Sequence, residues 1–374
     1  MDIKKVAVIG SGLMGSGIAY VSAWNGYEVA MVDINQELVD KGLESIRNSV
    51  MTGIDKGKMS ITEAEGLMGR VKGIVDTEDA VKDADLVIEA IFENMEVKKE
   101  VFAKIDAAAP EHAILASNTS SLSIDELATA TNRPDKFIGM HYFSPVPAMK
   151  LLEIVVGEKT SEDTIAVAKA VGEKQGKQTV LAKNSPGFIV NRLLMPGMRE
   201  ALLIYERGEA TKEEIDNAMV SVGKAAMGPF ALGDFVGLDI AFNAMSTLYR
   251  EIGDCFKPPE TLKNLVDSGA IGMKSKKGFY DYGAGPSEPE EPKGADPNWI
   301  ADRILIAGVR EAMILVDDGI ANKEDIDMAM KLGAAWPAGP FETAENYGMD
   351  KIREHISNLE KEFGECYSVP KMLK

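Results

Sequence analysis

Cysteine and histidine are scarce in this chain of 374 residues: two cysteines, Cys255 and Cys366, and three histidines, His112, His141 and His355. Two cysteines exclude a disulfide scaffold and a cysteine-rich metal site, and they read as free thiols in a reducing compartment. Three scattered histidines make a histidine-rich centre unexpected, so no metal is predicted. Basic residues run short too, with 41 Lys and Arg against 59 Asp and Glu, a net charge of −18. That balance argues against nucleic acid, whose phosphates would repel it, and against an anionic membrane surface. No apolar run reaches the about 18 residues of a membrane span. Met1-Asp2-Ile3-Lys4-Lys5-Val6 runs directly into a strand-like segment, which does not read as a signal peptide. The expected location is the cytoplasm. What is present is ordinary globular composition, 45% hydrophobic and 27% charged. The length suggests two or three domains.

Lys4–Gly10 is a short apolar run ending in glycine, the pattern of a buried parallel strand. Similar runs recur at Tyr27–Val32, Val71–Val75, Leu86–Ile91, Ala113–Ala116, Phe137–Met140, Leu151–Val156 and Thr179–Leu181, and helical patterns separate most of them. This alternation predicts a parallel sheet with helices on both faces. Beyond Lys183–Gly187 strands become rare and helical periodicity dominates. The stretch 283–297 holds four prolines among charges and reads as an extended linker.

An internal repeat follows. Arg199-Glu200-Ala201 recurs as Arg310-Glu311-Ala312, and Gly228-Pro229-Phe230 as Gly339-Pro340-Phe341. The offset is 111 throughout, and an ungapped comparison of 189–263 with 300–374 has 28 identities in 75 pairs. A helical domain is duplicated. The predicted organisation is an α/β Rossmann-type, doubly wound domain over 1–185, a helical domain over 186–282, the linker 283–297, and a second helical copy over 298–374.

Gly10-Ser-Gly12-Leu-Met-Gly15 follows a strand and opens a helix, and Asp33 lies 21 residues after Gly12 at the end of the next strand. Together these make the dinucleotide fingerprint. Gly10 makes the tight turn, Gly12 admits the pyrophosphate, and Gly15 packs helix on sheet. The helix N-terminus offers free N–H groups to phosphate. Asp33 can accept from ribose hydroxyls and would repel a 2′-phosphate, which favours NAD over NADP. The plain alternative is a glycine-rich turn with no ligand.

His141 follows another strand, and Glu153 lies within the apolar run Leu151–Val156. A carboxylate in such a run needs a partner. A histidine partner would have its tautomer fixed and become a better general base. The alternative is a structural histidine near an edge-strand carboxylate. Ser117, Ser121 and Ser123 read as loop or N-cap residues, His112 as a turn residue, and His355 as a helix-surface residue. Lys56 and Lys58 are candidates for coenzyme A phosphates, against the alternative of solvated surface.

The chain resembles the 3-hydroxyacyl-CoA dehydrogenases, 3-hydroxybutyryl-CoA dehydrogenases among them. The resemblance rests on Gly10–Gly15 with Met14, Glu89-Ala-Ile-Phe-Glu93-Asn, Ser117-Asn-Thr-Ser120-Ser-Leu, His141 through Pro145-Val-Pro-Ala-Met-Lys150-Leu-Leu-Glu153, and Ser185-Pro-Gly-Phe-Ile-Val-Asn191-Arg192. Gly228-Pro-Phe and Gly278-Phe-Tyr-Asp-Tyr282 complete it. It implies NAD-dependent interconversion of L-3-hydroxyacyl-CoA, short-chain esters such as 3-hydroxybutyryl-CoA foremost, and 3-ketoacyl-CoA. It assigns His141 as base, Glu153 as its orienting carboxylate, Ser120 near the substrate 3-oxygen, and Asn191 at the helical-domain edge. Leu13, Met14, Asp33, Glu93, Lys98 and Asn118 match cofactor-lining positions. Ser144 departs from the family, which usually has Asn there.

Two other readings compete: a related dehydrogenase of a free 3-hydroxy acid or sugar acid, and a non-catalytic, crystallin-like NAD-binding protein. In the family the helical domain mediates dimerisation, so the resemblance implies that a tandem copy can replace the partner subunit. The expectation is a monomer with an intrachain pseudo-dimer, or else a homodimer. Asp302 stands where the first copy has Asn191, so one active site per chain is expected.

Overall fold

The computed structural model describes residues 1–283 and 290–374. The chain divides into two compact units, Met1–Ser185 and Pro186–Lys374.

The first unit is built on an eight-stranded sheet. The strands are β1 (Lys5–Ile9), β2 (Glu28–Val32), β3 (Val71–Ile74), β4 (Leu86–Glu89), β5 (Ile114–Ser117), β6 (Phe137–Tyr142), β7 (Leu151–Val156) and β8 (Gln178–Lys183), in the order β3-β2-β1-β4-β5-β6-β7-β8. Each strand-like run of the sequence corresponds to one of these. The helices are α1 (Leu13–Trp24), α2 (Gln36–Asp55), α3 (Ile61–Arg70), α4 (Thr77–Val81), α5 (Met95–Ala108), α6 (Ile124–Ala128) and α7 (Glu162–Lys174). Side-chain caps start most of them: Asn35 caps α2, Asn94 caps α5, and Ser60 with Glu63 forms a capping box on α3.

The sheet is not uniformly parallel. β6 and β7 pair antiparallel, while every other neighbouring pair is parallel. The connection 143–150 holds no helix and is too short for a parallel crossover, so the chain doubles back. Val6, Val8, Leu86, Ile88, Ile138, Met140, Leu152 and Ile154 form the core with Ile18 of α1 and Val171 of α7.

The second unit is helical. The first copy comprises α8 (Val190–Glu206), α9 (Lys212–Ser221), α10 (Pro229–Val236), α11 (Leu238–Glu251) and α12 (Glu260–Asp267). The second comprises α13 (Pro297–Asp317), α14 (Lys323–Gly333), α15 (Pro340–Tyr347) and α16 (Met349–Phe363). At the offset of 111, α13 matches α8, and α14 to α16 match α9 to α11. The last residue of the predicted linker, Pro297, is the first of α13, with Asp296 as N-cap; proline suits that position because the N–H it lacks would be unpaired anyway. Part of the predicted linker, 284–289, lies outside the described residues.

The two copies share one core: Met198, Leu202 and Met245 cluster with Ile300, Ala301 and Ile304. α8 and α13 run against each other. A Cβ on Gly197 would lie 3.4 Å from Ile304 Cγ2, an ordinary van der Waals contact between the two helices. Two buried ion pairs cross the junction, Arg192 to Glu311 at 2.7 Å and Arg303 to Glu200 at 2.9 Å. Each pair is the other's repeat image, the signature of a two-fold contact.

The cysteines are not free thiols. Cys255 and Cys366 form a disulfide, with Cα atoms 5.0 Å apart. They occupy the same position in the two copies, and such positions meet where they lie beside the pseudo-two-fold axis. The expectation of free thiols fails because it weighed the number of cysteines and not their places in the repeat.

Candidate active site

In an open α/β sheet, ligands bind beyond the carboxyl ends of the strands where the strand order reverses. Here that point lies between β1 and β4. The turn after β1 carries Gly10 at φ +105°, and a Cβ there would meet the Ala90 carbonyl oxygen at 2.5 Å. Gly12 is different: nothing lies within 4 Å of the Cβ it lacks. It precedes α1 with no side-chain cap, so the first N–H groups of α1 face an open cradle. Leu13 is exposed beside it and Met14 half-buried. This geometry fits a dinucleotide pyrophosphate. Gly15 sits against the Gly10 carbonyl, too tight for any side chain.

Asp33, at the end of β2, reaches back to this turn. Its Oδ2 accepts from the Ser11 N–H at 2.8 Å and from the Ser11 hydroxyl at 2.7 Å. The carboxylate therefore braces the loop at the edge where an adenosine ribose would lie.

A second cluster stands at the ends of β4 and β5. Glu89 is fully buried. It accepts from the Ile91 N–H at 2.7 Å, from Lys98 Nζ at 2.5 Å and from the Ser117 hydroxyl at 2.6 Å. Lys98, also buried, lies 3.3 Å from Glu93. Glu93 Oε1 in turn accepts from Thr119 Oγ1 at 2.6 Å, the Ser120 N–H at 3.1 Å and Ser121 Oγ at 3.1 Å. Burial raises the Glu93 pKa, but the charge of Lys98 and the hydrogen bonds from Thr119 and Ser120 outweigh it and hold the carboxyl below its ordinary value. Ser117 is not a loop or cap residue: it ends β5, paired in register with Glu89, and its hydroxyl donates to that carboxylate; Ser123 does cap α6. Glu89 and Ser117 are the functional candidates that sequence reasoning missed. The available signal was a lone carboxylate ending an apolar strand nine residues before a lysine.

His141 and Glu153 face each other directly in the antiparallel register of β6 and β7. His141 Nδ1 lies 2.6 Å from Glu153 Oε2, and both side chains are buried. Phe143 packs against the imidazole with ring centres 4.5 Å apart. Asn118 Oδ1 accepts from the Tyr142 N–H at 2.9 Å, which ties the β5 end to the strand bearing the histidine. The β6–β7 connection is held by Lys177, whose ammonium donates to the carbonyls of Val146 and Met149. Burial and the nearby Lys150 push the Lys177 pKa down to about 8. Ser144 is exposed in this connection.

Lys56 and Lys58 are exposed at the end of α2. His112 lies in a turn 2.9 Å from Asp85, and His355 is half-buried on α16. Asn191 lies in the first turn of α8 in the helical unit, half-buried. In the second copy Asp302 accepts from the Tyr347 hydroxyl at 2.6 Å. Tyr347 stands where the first copy has Val236. Among the described residues no cluster of three or more His, Cys, Asp or Glu could hold a metal, and no helix is long and apolar enough to cross a membrane.

Comparison with known proteins places these features in a family. A model described as 3-hydroxyacyl-CoA dehydrogenase, NAD binding domain, matches residues 5–185. A model described as 3-hydroxyacyl-CoA dehydrogenase, C-terminal domain, matches twice, at 187–282 and 299–374. The chain is 45% identical over 280 residues to 3-hydroxybutyryl-CoA dehydrogenase of Clostridioides difficile, covering 74% of this chain and 99% of that one. It is 34% identical over 393 aligned positions to the fatty acid oxidation complex subunit alpha of Shewanella sp. (strain MR-4), covering all of this chain and 55% of that one. The crystal structure of 3-hydroxybutyryl-CoA dehydrogenase from Escherichia coli K12 superposes with a TM-score of 0.93 at 27% identity, over 100% of this chain and 98% of that one.

Proposed function

The chain belongs to the 3-hydroxyacyl-CoA dehydrogenase family and is an NAD-dependent oxidoreductase of 3-hydroxyacyl-CoA, and from that premise we propose that His141 is its general base, oriented by Glu153, acting on short-chain esters such as 3-hydroxybutyryl-CoA. The observation that carries this reading is the buried His141–Glu153 contact. A carboxylate on Nδ1 selects the tautomer that donates to it, which leaves the acceptor lone pair on Nε2.

When bound, NAD supplies the acceptor for the hydride from C3. His141 takes the hydroxyl proton through Nε2 in oxidation and returns it in reduction. Glu153 then faces an imidazolium and stabilises its charge. Ser120 donates toward the substrate 3-oxygen, and Asn191 supports the substrate at the helical edge. The N–H groups after Gly12 take the pyrophosphate, Asp33 the ribose hydroxyls, and Glu93, Lys98 and Asn118 line the cofactor. Lys56 and Lys58 are the proposed contacts for coenzyme A phosphates.

The second copy is a packing partner and not a second site. Val220, Phe235, Val236 and Ile240 are exposed in the first copy, and the matching positions are Lys331, Asn346, Tyr347 and Lys351. Asp302, at the Asn191 position, is engaged by Tyr347. The crossing Arg–Glu pairs and shared core support a monomer whose two helical copies stand in for a dimer.

The deciding experiment is His141→Ala assayed with 3-ketobutyryl-CoA and NADH. Activity should fall by about 100-fold or more while NADH binding persists. Retained turnover would refute the mechanism, and faster NADH turnover with the free keto acid would refute the substrate.

A further inference from the structure

We infer that Glu89 is a positioning residue of this site, acting through Lys98 and Glu93 on the turn that carries Ser120. The inference rests on the reading that Ser120 meets the substrate oxygen.

A carboxylate with no exposure at the end of an apolar strand is costly unless its oxygens are satisfied. Glu89 is satisfied on both. Oε1 takes the Lys98 ammonium at 2.5 Å and the Ile91 N–H at 2.7 Å, and Oε2 takes the Ser117 hydroxyl at 2.6 Å. From Oε1, Lys98 leads to Glu93 at 3.3 Å, and Glu93 gathers Thr119, the Ser120 N–H and Ser121. From Oε2, Ser117 Oγ accepts from the Thr119 N–H at 3.2 Å. Both arms close on the same turn, one through charge and one through a hydroxyl. The backbone adds a third tie, since the Asn118 N–H donates to the Glu89 carbonyl at 2.8 Å.

Two carboxylates share one ammonium, so the charge of Lys98 is divided between the buried strand end and the Ser120 turn. Removing the Glu89 charge frees Lys98 to close on Glu93, which shifts the turn. A shift of about 1 Å in a reacting group costs up to about 100-fold in rate. Glu89 itself is fully buried, so its influence passes through the groups it holds.

The test is a double-mutant cycle on the full-length enzyme with Glu89→Gln, Ser120→Ala and the pair. kcat/KM is read for 3-ketobutyryl-CoA with NADH, and folding is followed by circular dichroism. Glu89→Gln should lower kcat/KM by about 10- to 100-fold in the parent, mostly in kcat. In the Ser120→Ala background the same change should cost less than about twofold, well outside the additivity expected of uncoupled sites. An equal loss in both backgrounds would assign Glu89 to folding alone and overturn the inference. No loss in the parent would also overturn it. If Ser120→Ala is itself silent, the Ser120 reading fails and this inference falls with it. If Ser120→Ala is damaging and the cycle additive, only this inference falls. Should Glu89→Gln not fold, Ser117→Ala takes its place in the cycle, with a loss of about threefold in the parent and none beside Ser120→Ala. Equal or absent losses again count against the proposal.

Discussion

Breaking the bond between Cys255 and Cys366 should lower the stability of the helical unit by several kcal/mol while leaving its fold in place. The bond closes a loop of 111 residues. Loop-closure entropy for that length is about 16 cal/mol/K, or about 4.8 kcal/mol at 25 °C. For a unit of this size, each kcal/mol moves the melting midpoint by about 2–4 °C, which gives a drop of about 10–20 °C. The shared apolar core and the two crossing Arg–Glu pairs do not depend on the bond, so the reduced unit still folds. The assay uses tryptophan emission in a Trp24→Phe background, where the remaining reporters, Trp299 and Trp336, both lie in the helical unit. Oxidised protein is compared with a Cys255→Ser/Cys366→Ser variant. NADH affinity of the α/β unit is measured alongside and should stay unchanged. Coincident melts, or two titratable thiols in unreduced, denatured protein, would refute the reasoning.

Arg192→Met leaves Glu311 buried without its cross-copy partner and should cost about 3–5 kcal/mol, whereas Arg192→Met with Glu311→Leu should recover most of that in urea unfolding. Burial pushes the Asp216 carboxyl up to about 6 despite hydrogen bonds from Phe230, Tyr280 and Ala231. A folded pKa above the unfolded one means that the native state holds the extra proton, so this group's contribution falls as pH rises from about 4 to 6, by about 3 kcal/mol. Asp216→Asn should flatten that part of the profile relative to the parent, and an unaltered slope would rule out Asp216 as its source. Asp33→Ala should raise the KM for NADH about tenfold with little change for NADPH, narrowing the preference seen in steady-state kinetics.

Much of the fold is legible in the amino-acid sequence. The inner strands β1, β2 and β4 to β7 are largely buried on both faces and read as apolar runs, so they stood out, whereas the edge strands β3 and β8 are broken by Lys72 and Gly73 and by Gln178 and Thr179. The repeat was plain because buried positions such as Arg192, Glu200 and Gly228 keep their types in the second copy. Strand direction was not legible, since hydropathy is the same whichever way a strand runs. The reversal between β6 and β7 is what sets His141 opposite Glu153, and their separation in sequence does not reveal it. The disulfide was half legible: the shared offset was visible, but its meaning required an axis passing between the two copies. Glu89 was masked by its own motif, where it read as one more matching letter. Its role depends on Ser117 and Lys98, which only the sheet and α5 bring to it.

Joining the two helical copies in one chain turns their association into an intramolecular event. Its strength is set by an effective concentration that the connecting segment imposes, not by how much protein is present. Part of that segment is anchored on the first copy, where Glu214 accepts from the N–H groups of Lys293 and Gly294. The junction therefore forms alike in a dilute or a crowded solution, and dilution cannot strip it apart. A symmetric dimer must carry each substitution on both faces at once. Here Asp302 and Tyr347 can change one half alone, leaving Asn191 and Val236 as they are in the other.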